Sequence, residues 1–209
     1  SIEETDNNLD FSIGGAHFKM ISVEGEEGQA SFYIGESPVT EKLWSVISNG
    51  EYRSWGGTNL PKTGISLKEV LDFIEKLSNV TGKSFRLPTL KEWQWAAKGG
   101  RKSRNCRFAG SDTLEDVAWC RSNSNQVIHE VALKQPNELG LYDMSGNVWE
   151  MTSETKTVQY RLIEGEFETG IDCGGCYRDN EKDCEVENTS TFPLDDGSDL
   201  LGFRLVCMG

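Results

Sequence analysis

The sequence lacks a long apolar run and an excess of basic residues, and each absence argues against a class of function. No run approaches the roughly 20 apolar residues that a membrane-spanning helix needs. The chain has 21 Lys and Arg against 34 Asp and Glu, a formal net charge of −13. Because a surface of this sign repels a phosphate backbone, we expect no nucleic-acid partner. The lack of a long apolar run predicts that the chain has no membrane span.

Cysteine and histidine are also scarce. Six cysteines in 209 residues are too few for a disulfide scaffold. Cys173 and Cys176, in "CGGC", have the C-x-x-C spacing of a redox pair or of half a zinc site, and they can also be two unconnected thiols. The sequence has no second C-x-x-C, and His17 and His129 form no ligand motif, so a structural zinc site is not expected.

No internal repeat and no proline- or serine-rich linker divides the chain. We therefore predict one domain over residues 11–209, preceded by a flexible, polar and acidic segment at residues 1–10. Twenty-two glycines and six tryptophans indicate a loop-rich protein with large side chains in its core.

Three segments before residue 100 predict helices. Thr40 has the character of an N-cap, and Ser66 with Glu69 and Thr89 with Glu92 form capping boxes. The apolar stripe of the second helix is predicted to contain Leu67, Val70, Leu71, Ile74 and Leu77. Residues 11–25 predict two strands joined by a glycine turn, and residues 201–207 predict a final strand. The pattern indicates an α+β fold.

Several separate stretches carry a family resemblance. "FRLPTLKEWQWAAKGG", "NELGLYDMSGNVWEM" and the terminal "LGFRLVC" occur in this order, and "FYIGESPVTEKLW" precedes them. Together they resemble the formylglycine-generating enzyme, or sulfatase-modifying factor, family over about residues 11–207. The resemblance implies a C-type-lectin-like fold, with a small twisted antiparallel sheet, two or three helices and long irregular loops.

The resemblance also implies a calcium ion bound by the loop around "GNVWE". By position, Asp143 and Glu150 would supply carboxylate oxygens, and Gly146 and Val148 would supply main-chain carbonyls, a donor set that suits calcium. Trp149 would hold the loop against the sheet. The alternative is that Asp143 and Gly146 form a tight turn and that Glu150 pairs with a nearby arginine.

The catalytic pattern of the family is not matched. The enzymes oxidise a cysteine of sulfatase polypeptides with O₂ and a copper ion held by two cysteines, which are separated by four residues. Here Cys173 and Cys176 are separated by two residues, and no register supplies both thiolates. We therefore expect no catalytic residues. The alternative is a copper-dependent oxidase that uses Cys173 and Cys176 on a cysteine-containing peptide.

The same scaffold resembles non-catalytic binding proteins, including the variable proteins of diversity-generating retroelements. In those, the segment before the terminal Gly-Phe-Arg displays changeable side chains, which corresponds here to about residues 165–200. We predict that this segment is a display surface for a protein or glycan ligand, because its residues are small or hydrogen-bonding types. The alternative is an acidic loop without a ligand. The predicted contact residues are Asp172, Tyr177, Arg178, Asp179, Asn180, Asn188, Ser190, Thr191, Phe192, Asp195 and Asp196.

Family analogy further suggests a bacterial, extracytoplasmic location, in the periplasm or at the cell surface.

Overall fold

The computed structural model describes residues 7–49 and 59–209. Its first two strands, β1 (Leu9–Ile13) and β2 (Ala16–Val23), form an antiparallel hairpin. Gly14 and Gly15 close it with φ of 53° and 78°, a conformation that glycine adopts without strain. Strand β1 begins two residues before the predicted domain start, and residues 1–6 lie outside the described part of the chain.

The first sheet has five strands in the order β1-β2-β3-β9-β4. Strand β3 spans Phe32–Gly35, β4 spans Phe85–Arg86 and β9 spans Val206–Cys207. All of its pairings are antiparallel, and β9 lies between β3 and β4. The C-terminus of the chain therefore completes a sheet that the N-terminus begins.

Four helices are described: α1 (Glu41–Asn49), α2 (Leu67–Thr81), α3 (Leu90–Ala97) and α4 (Leu114–Val117). The predicted caps are confirmed, because both capping boxes form and the Thr40 hydroxyl accepts from the Leu43 amide at 3.2 Å. Helix α4 was not predicted, since four residues are too short to show a helical period. Two short 3-10 helices span Gly100–Lys102 and Glu181–Cys184.

One position of the predicted α2 stripe needs correction. Leu71 is 49% exposed, whereas Phe73 is buried against the core. The α2 face is rotated toward Phe73 because this ring stacks on Trp44 of α1, with ring centroids 4.8 Å apart. Trp55, one of the six tryptophans, lies outside the described residues.

A second sheet has the order β7-β6-β5-β8. It consists of β5 (Trp149–Gln159), β6 (Glu166–Cys173), β7 (Thr189–Pro193) and β8 (Leu201–Gly202). Strands β5, β6 and β7 are antiparallel, and β8 runs parallel to β5. The predicted single strand over 201–207 is therefore wrong: it is split into β8 and β9, which belong to different sheets.

The interior contains two large apolar clusters, and each includes residues from both sheets. One lies between α1, α2 and both sheets around Phe73 and Phe203, and the other surrounds Trp93 of α3. Trp149 is only partly buried at the edge of the first cluster, whereas Trp93 is fully buried. No helix within residues 7–49 and 59–209 is both long and apolar enough to cross a bilayer.

Candidate ligand-binding surface and the loop beneath it

Arg204 and Glu150 form a buried ion pair at the junction of the two sheets. Arg204 lies between β8 and β9, and Glu150 lies at the start of β5. The Arg204 Nε donates to Glu150 Oε2 at 2.8 Å, and Nη2 donates to Oε1 at 2.7 Å, a bidentate geometry. Both side chains are almost completely inaccessible, at 0% and 1% exposed.

The remaining donors of this guanidinium are also used. Nη1 donates to the Gly35 carbonyl at 2.9 Å, and Nη2 donates to the Tyr142 carbonyl at 2.7 Å. Trp93 Nε1 donates to Glu150 Oε2 at 2.7 Å. Because burying a charge is costly unless it is paired and hydrogen-bonded, this full set of partners is what allows the pair to lie in the core.

Asp143 begins the turn that leads to this pair. Its φ is 60°, and its Oδ2 accepts from the Ala132 amide at 2.8 Å. Among the described residues its buried Oδ1 has no hydrogen-bond partner. Burial raises the pKa of Asp143 to about 6, and the amide of Ala132 opposes that rise.

The four predicted calcium donors do not form a fitting set. Both oxygens of Glu150 are directed at Arg204 and Trp93, so the guanidinium takes the place that a cation would need. Of the two carboxylates, only that of Asp143 has an oxygen without a partner in the described chain. Within the described residues no group of three His, Cys, Asp or Glu side chains is arranged to hold a metal. The pairing of Glu150 with an arginine, the alternative interpretation, is confirmed.

Gly146 is required by the close packing of this loop, and Val148 is buried at 1% exposed. Gly146 has φ of 75°, and a Cβ there would lie 2.9 Å from the Trp119 amide nitrogen, so the close approach requires glycine. The Gly146 amide donates to the Gly174 carbonyl at 2.7 Å, and the Tyr177 amide donates to the Asn147 carbonyl at 2.9 Å. The "GNVWE" loop is thus bonded directly to the segment that was predicted to display a ligand.

The Cys173 and Cys176 thiols are free and fully buried. Cys173 packs in the cluster around Trp93, and burial raises its pKa well above the usual range of a thiol. Burial also raises the pKa of Cys176 to about 12. A peptide must reach the copper-binding thiols of such an oxidase, so two inaccessible thiols do not fit the copper site of the oxidase alternative.

The predicted contact residues fall into buried and accessible groups. Asp172, Tyr177 and Phe192 are buried, at 4%, 5% and 3% exposed. Phe192 belongs to the main core cluster, where its ring lies against Gly170, and this corrects the expectation that it contacts a partner directly. The accessible residues, exposed or partly exposed, are Arg178, Asp179, Asn180, Asn188, Ser190, Thr191, Asp195 and Asp196.

The structure brings only some of these residues together. Asp172 pairs with Ser190 across β6 and β7, and Asp172 also lies near the charged Asp179. Burial and that negative charge raise the pKa of Asp172 to about 7. Asp195 and Asp196 lie apart, in a connection whose two ends are hydrogen-bonded to residues 64 and 67.

An open cavity of about 500 Å³ borders the accessible group and was missed by the sequence analysis. It is lined by Arg121 and Cys120 on one side and by Asn180 and Glu181 on the other. The Arg121 amide donates to the Asp179 carbonyl at 2.9 Å, which fixes the two sides together. Positions 121 and 179 are too far apart in sequence for a local motif to reveal this contact.

The two sheets, the bounding helices and the long loops define a formylglycine-generating-enzyme type of C-type-lectin-like fold. The chain belongs to the family described as "Sulfatase-modifying factor enzyme 1-like domain", whose model matches residues 11–208. The predicted family and fold class are therefore confirmed.

Two relatives illustrate the range of proteins that this chain resembles. It is 26% identical over 193 residues to "Chaperone protein LppX" of Paenibacillus barcinonensis, covering 65% of this chain and 69% of that protein. It is 28% identical over 185 residues to "Inactive C-alpha-formylglycine-generating enzyme 2" of Mus musculus. That second match covers 77% of this chain and 56% of the mouse protein.

A solved structure, "Treponema denticola variable protein 1", has a similar fold. The TM-score is 0.83 at 24% sequence identity, and the match covers 98% of this chain and 100% of that chain. At this identity the likeness concerns the fold. It shows that the family scaffold is kept along nearly the whole chain.

Proposed function

We propose that this protein is a non-catalytic binding module that presents the segment of residues 165–200 to a protein or glycan ligand. The observation that carries the proposal is the alternation of anchored and accessible residues in that segment. Residues 172–177 are largely buried, and the residues that follow are polar and largely accessible. Such an arrangement lets surface side chains vary while the backbone beneath them keeps its position.

The anchoring is supported by contacts on both sides of the segment. Ser124 Oγ donates to the Tyr177 carbonyl at 2.6 Å, and the Tyr177 amide is bound by Asn147. At the other end, β7 is an edge strand in which only Phe192 is buried. A rigid base reduces the conformational entropy that ordering a binding surface would cost.

The surface chemistry favours a ligand that forms hydrogen bonds. Arg178 and Asn180 are exposed, and Ser190 and Thr191 are exposed on β7. Residues of these types supply donors and acceptors with few apolar contacts, as adaptable binding surfaces do. A glycan or a polar protein surface fits this character, and an extracytoplasmic location would suit such a ligand.

The experiment is a glycan and protein array probed with the full chain, followed by affinity measurement on each hit. The variant R178A/S190A should weaken binding by about tenfold, which corresponds to about 1.4 kcal/mol of lost hydrogen bonding at the surface. The control K68A/D72A removes an exposed ion pair on α2 and should leave the affinity unchanged.

Two results would oppose the proposal. Absence of any hit with a folded sample would leave the segment as a surface loop without a ligand. Tight one-to-one binding of Cu(I) under anaerobic conditions, lost in C176S, would instead favour the oxidase, with a cysteine-containing peptide as its substrate.

A further inference from the structure

Two cysteines outside the "CGGC" motif share a small buried cluster. Cys120 follows α4, and Cys184 ends the 3-10 helix at Glu181–Cys184. Both belong to a compact apolar cluster that is separate from the two large ones. Its members are Phe108, Leu114, Val117, Ala118, Cys120 and Cys184. Both thiols are free.

The two chain segments that carry these thiols are fixed against each other. Arg121, next to Cys120, donates from its amide to the Asp179 carbonyl at 2.9 Å and from Nε to the Arg178 carbonyl at 3.0 Å. The Asn180 side chain then caps the 3-10 helix that ends at Cys184. Gly175 packs so closely that a Cβ there would lie 2.8 Å from Cys184 Sγ.

The electrostatic surroundings are consistent with this proximity. Burial raises the pKa of the Cys184 thiol, and among nearby charges Cys120 contributes most to that rise, ahead of Asp179 and Cys176. Cys184 is thus a buried thiol that shares its cluster with Cys120.

Cys120 is 1% exposed, and of the two thiols it is the one that borders an open cavity. It lines the open cavity of about 500 Å³, and its Sγ lies 3.1 Å from the Ser122 Oγ. Three acidic residues, Asp112, Glu115 and Glu181, also line that cavity, with Arg121 as its basic residue. An acidic rim favours a cationic or neutral reagent over an anionic one.

We propose that Cys120 and Cys184 are a thiol modification site that a small-molecule disulfide converts into a disulfide bond. The Cys120 thiolate attacks the reagent R–S–S–R, which forms Cys120–S–S–R and releases one thiol. Cys184 then loses its proton to solvent and attacks the Cys120 sulfur, which releases the second thiol. The two protein thiols lose two electrons, and the reagent gains them.

This bond would join the loop that follows α4 to the segment predicted to display a ligand. It would do so at Cys184, between the accessible residues near Asn180 and the edge strand β7. The inference does not depend on whether that segment binds a ligand.

The test uses the full chain and cystamine, a cationic disulfide. Thiols counted in denaturant should fall from the six of the untreated protein to three, because the partly exposed Cys106 takes one cysteamine while Cys120 and Cys184 form the link. Trypsin releases Cys120 in residues 108–121 and Cys184 in residues 183–204, with no other cysteine in either peptide. Mass spectrometry of a non-reduced digest should detect these two peptides linked, and reduction should separate them.

Variants identify the two steps. C184S should retain one cysteamine on Cys120 as a mixed disulfide, whereas the control C207S should still form the link. If C184S does not fold, the peptide map of the unaltered chain decides the matter. Unmodified Cys120 and Cys184 after treatment, or a link that joins other cysteines such as Cys173 to Cys176, would overturn the proposal.

Discussion

Arg204 Nη2 lies 2.7 Å from Glu150 Oε1, and this contact joins the two sheets of the molecule. Arg204 lies in the three residues between β8 and β9, which belong to different sheets. The same guanidinium reaches the Gly35 carbonyl at the end of β3. The terminal "GFR" segment is therefore a structural connection, and its arginine determines how the sheets meet.

Removal of this arginine should be severely destabilising. R204M would leave the Glu150 carboxylate buried without its cation, and breaking a buried pair in this way costs about 3–5 kcal/mol. Urea denaturation followed by circular dichroism measures the free energy of unfolding. The control R107M removes an arginine that pairs with Glu181 and Glu185 at the surface, where solvent screening keeps the expected loss much smaller than that of R204M. Equal losses of unfolding free energy in the two variants would show that the buried pair with Glu150 stabilises the fold no more than the surface pairs of Arg107 do.

Calcium should have little effect on this protein. The guanidinium already neutralises Glu150, so the "GNVWE" loop should keep its shape when calcium is removed. We expect melting temperatures in excess EDTA and in millimolar calcium to agree within about 1 °C, since a ligand that binds only the folded state would raise the value. A calcium-dependent rise that D143A abolishes and the surface variant K68A/D72A retains would restore the calcium interpretation.

The features that could be predicted from sequence are those that local chemistry determines. The capping boxes at Ser66 and Thr89 involve residues three positions apart, so a single helical turn contains the whole signal. The glycine turn between β1 and β2 is equally local. The fold itself was predicted from the family resemblance, because the order of the resembling segments along the chain is specific.

Features that depend on distant contacts could not be derived in this way. An arginine partner for Glu150 was one of two alternatives, but its position, 54 residues away, follows only from the fold. Phe192 has the same polar neighbours as the accessible residues around it, and only its packing against Gly170 places it in the core. Likewise, the cavity beside Asn180 depends on a contact between segments that lie far apart in sequence.

Gly170 should tolerate no side chain while Phe192 is present. A Cβ at Gly170 would overlap the Phe192 ring, which is buried and cannot turn outward without losing its core contacts. We expect G170A to cost about 1–3 kcal/mol, as overpacking of a core does. The smaller F192L should relieve part of that loss, so the double variant G170A/F192L should be more stable than the sum of the two single changes predicts. Strict additivity in urea denaturation would contradict the contact.

Asp172 should make the stability of the protein decrease as the pH rises through neutrality. Its Oδ1 is buried and has no partner among the described residues, and burial together with Asp179 raises its pKa to about 7. The unfolded chain has an aspartate pKa of about 3.9, so between these values the folded state binds the extra proton and is favoured by it. That contribution is fully present below the unfolded-state pKa of about 3.9, decreases steadily as the pH rises, and is lost once the pH passes the folded-state pKa of about 7. We expect the loss between pH 5 and pH 8 to be on the order of 2–3 kcal/mol. In D172N, which cannot ionise at this position, the free energy of unfolding should fall less over the same pH range. Parallel pH profiles for the two proteins would show that Asp172 is not the titrating group.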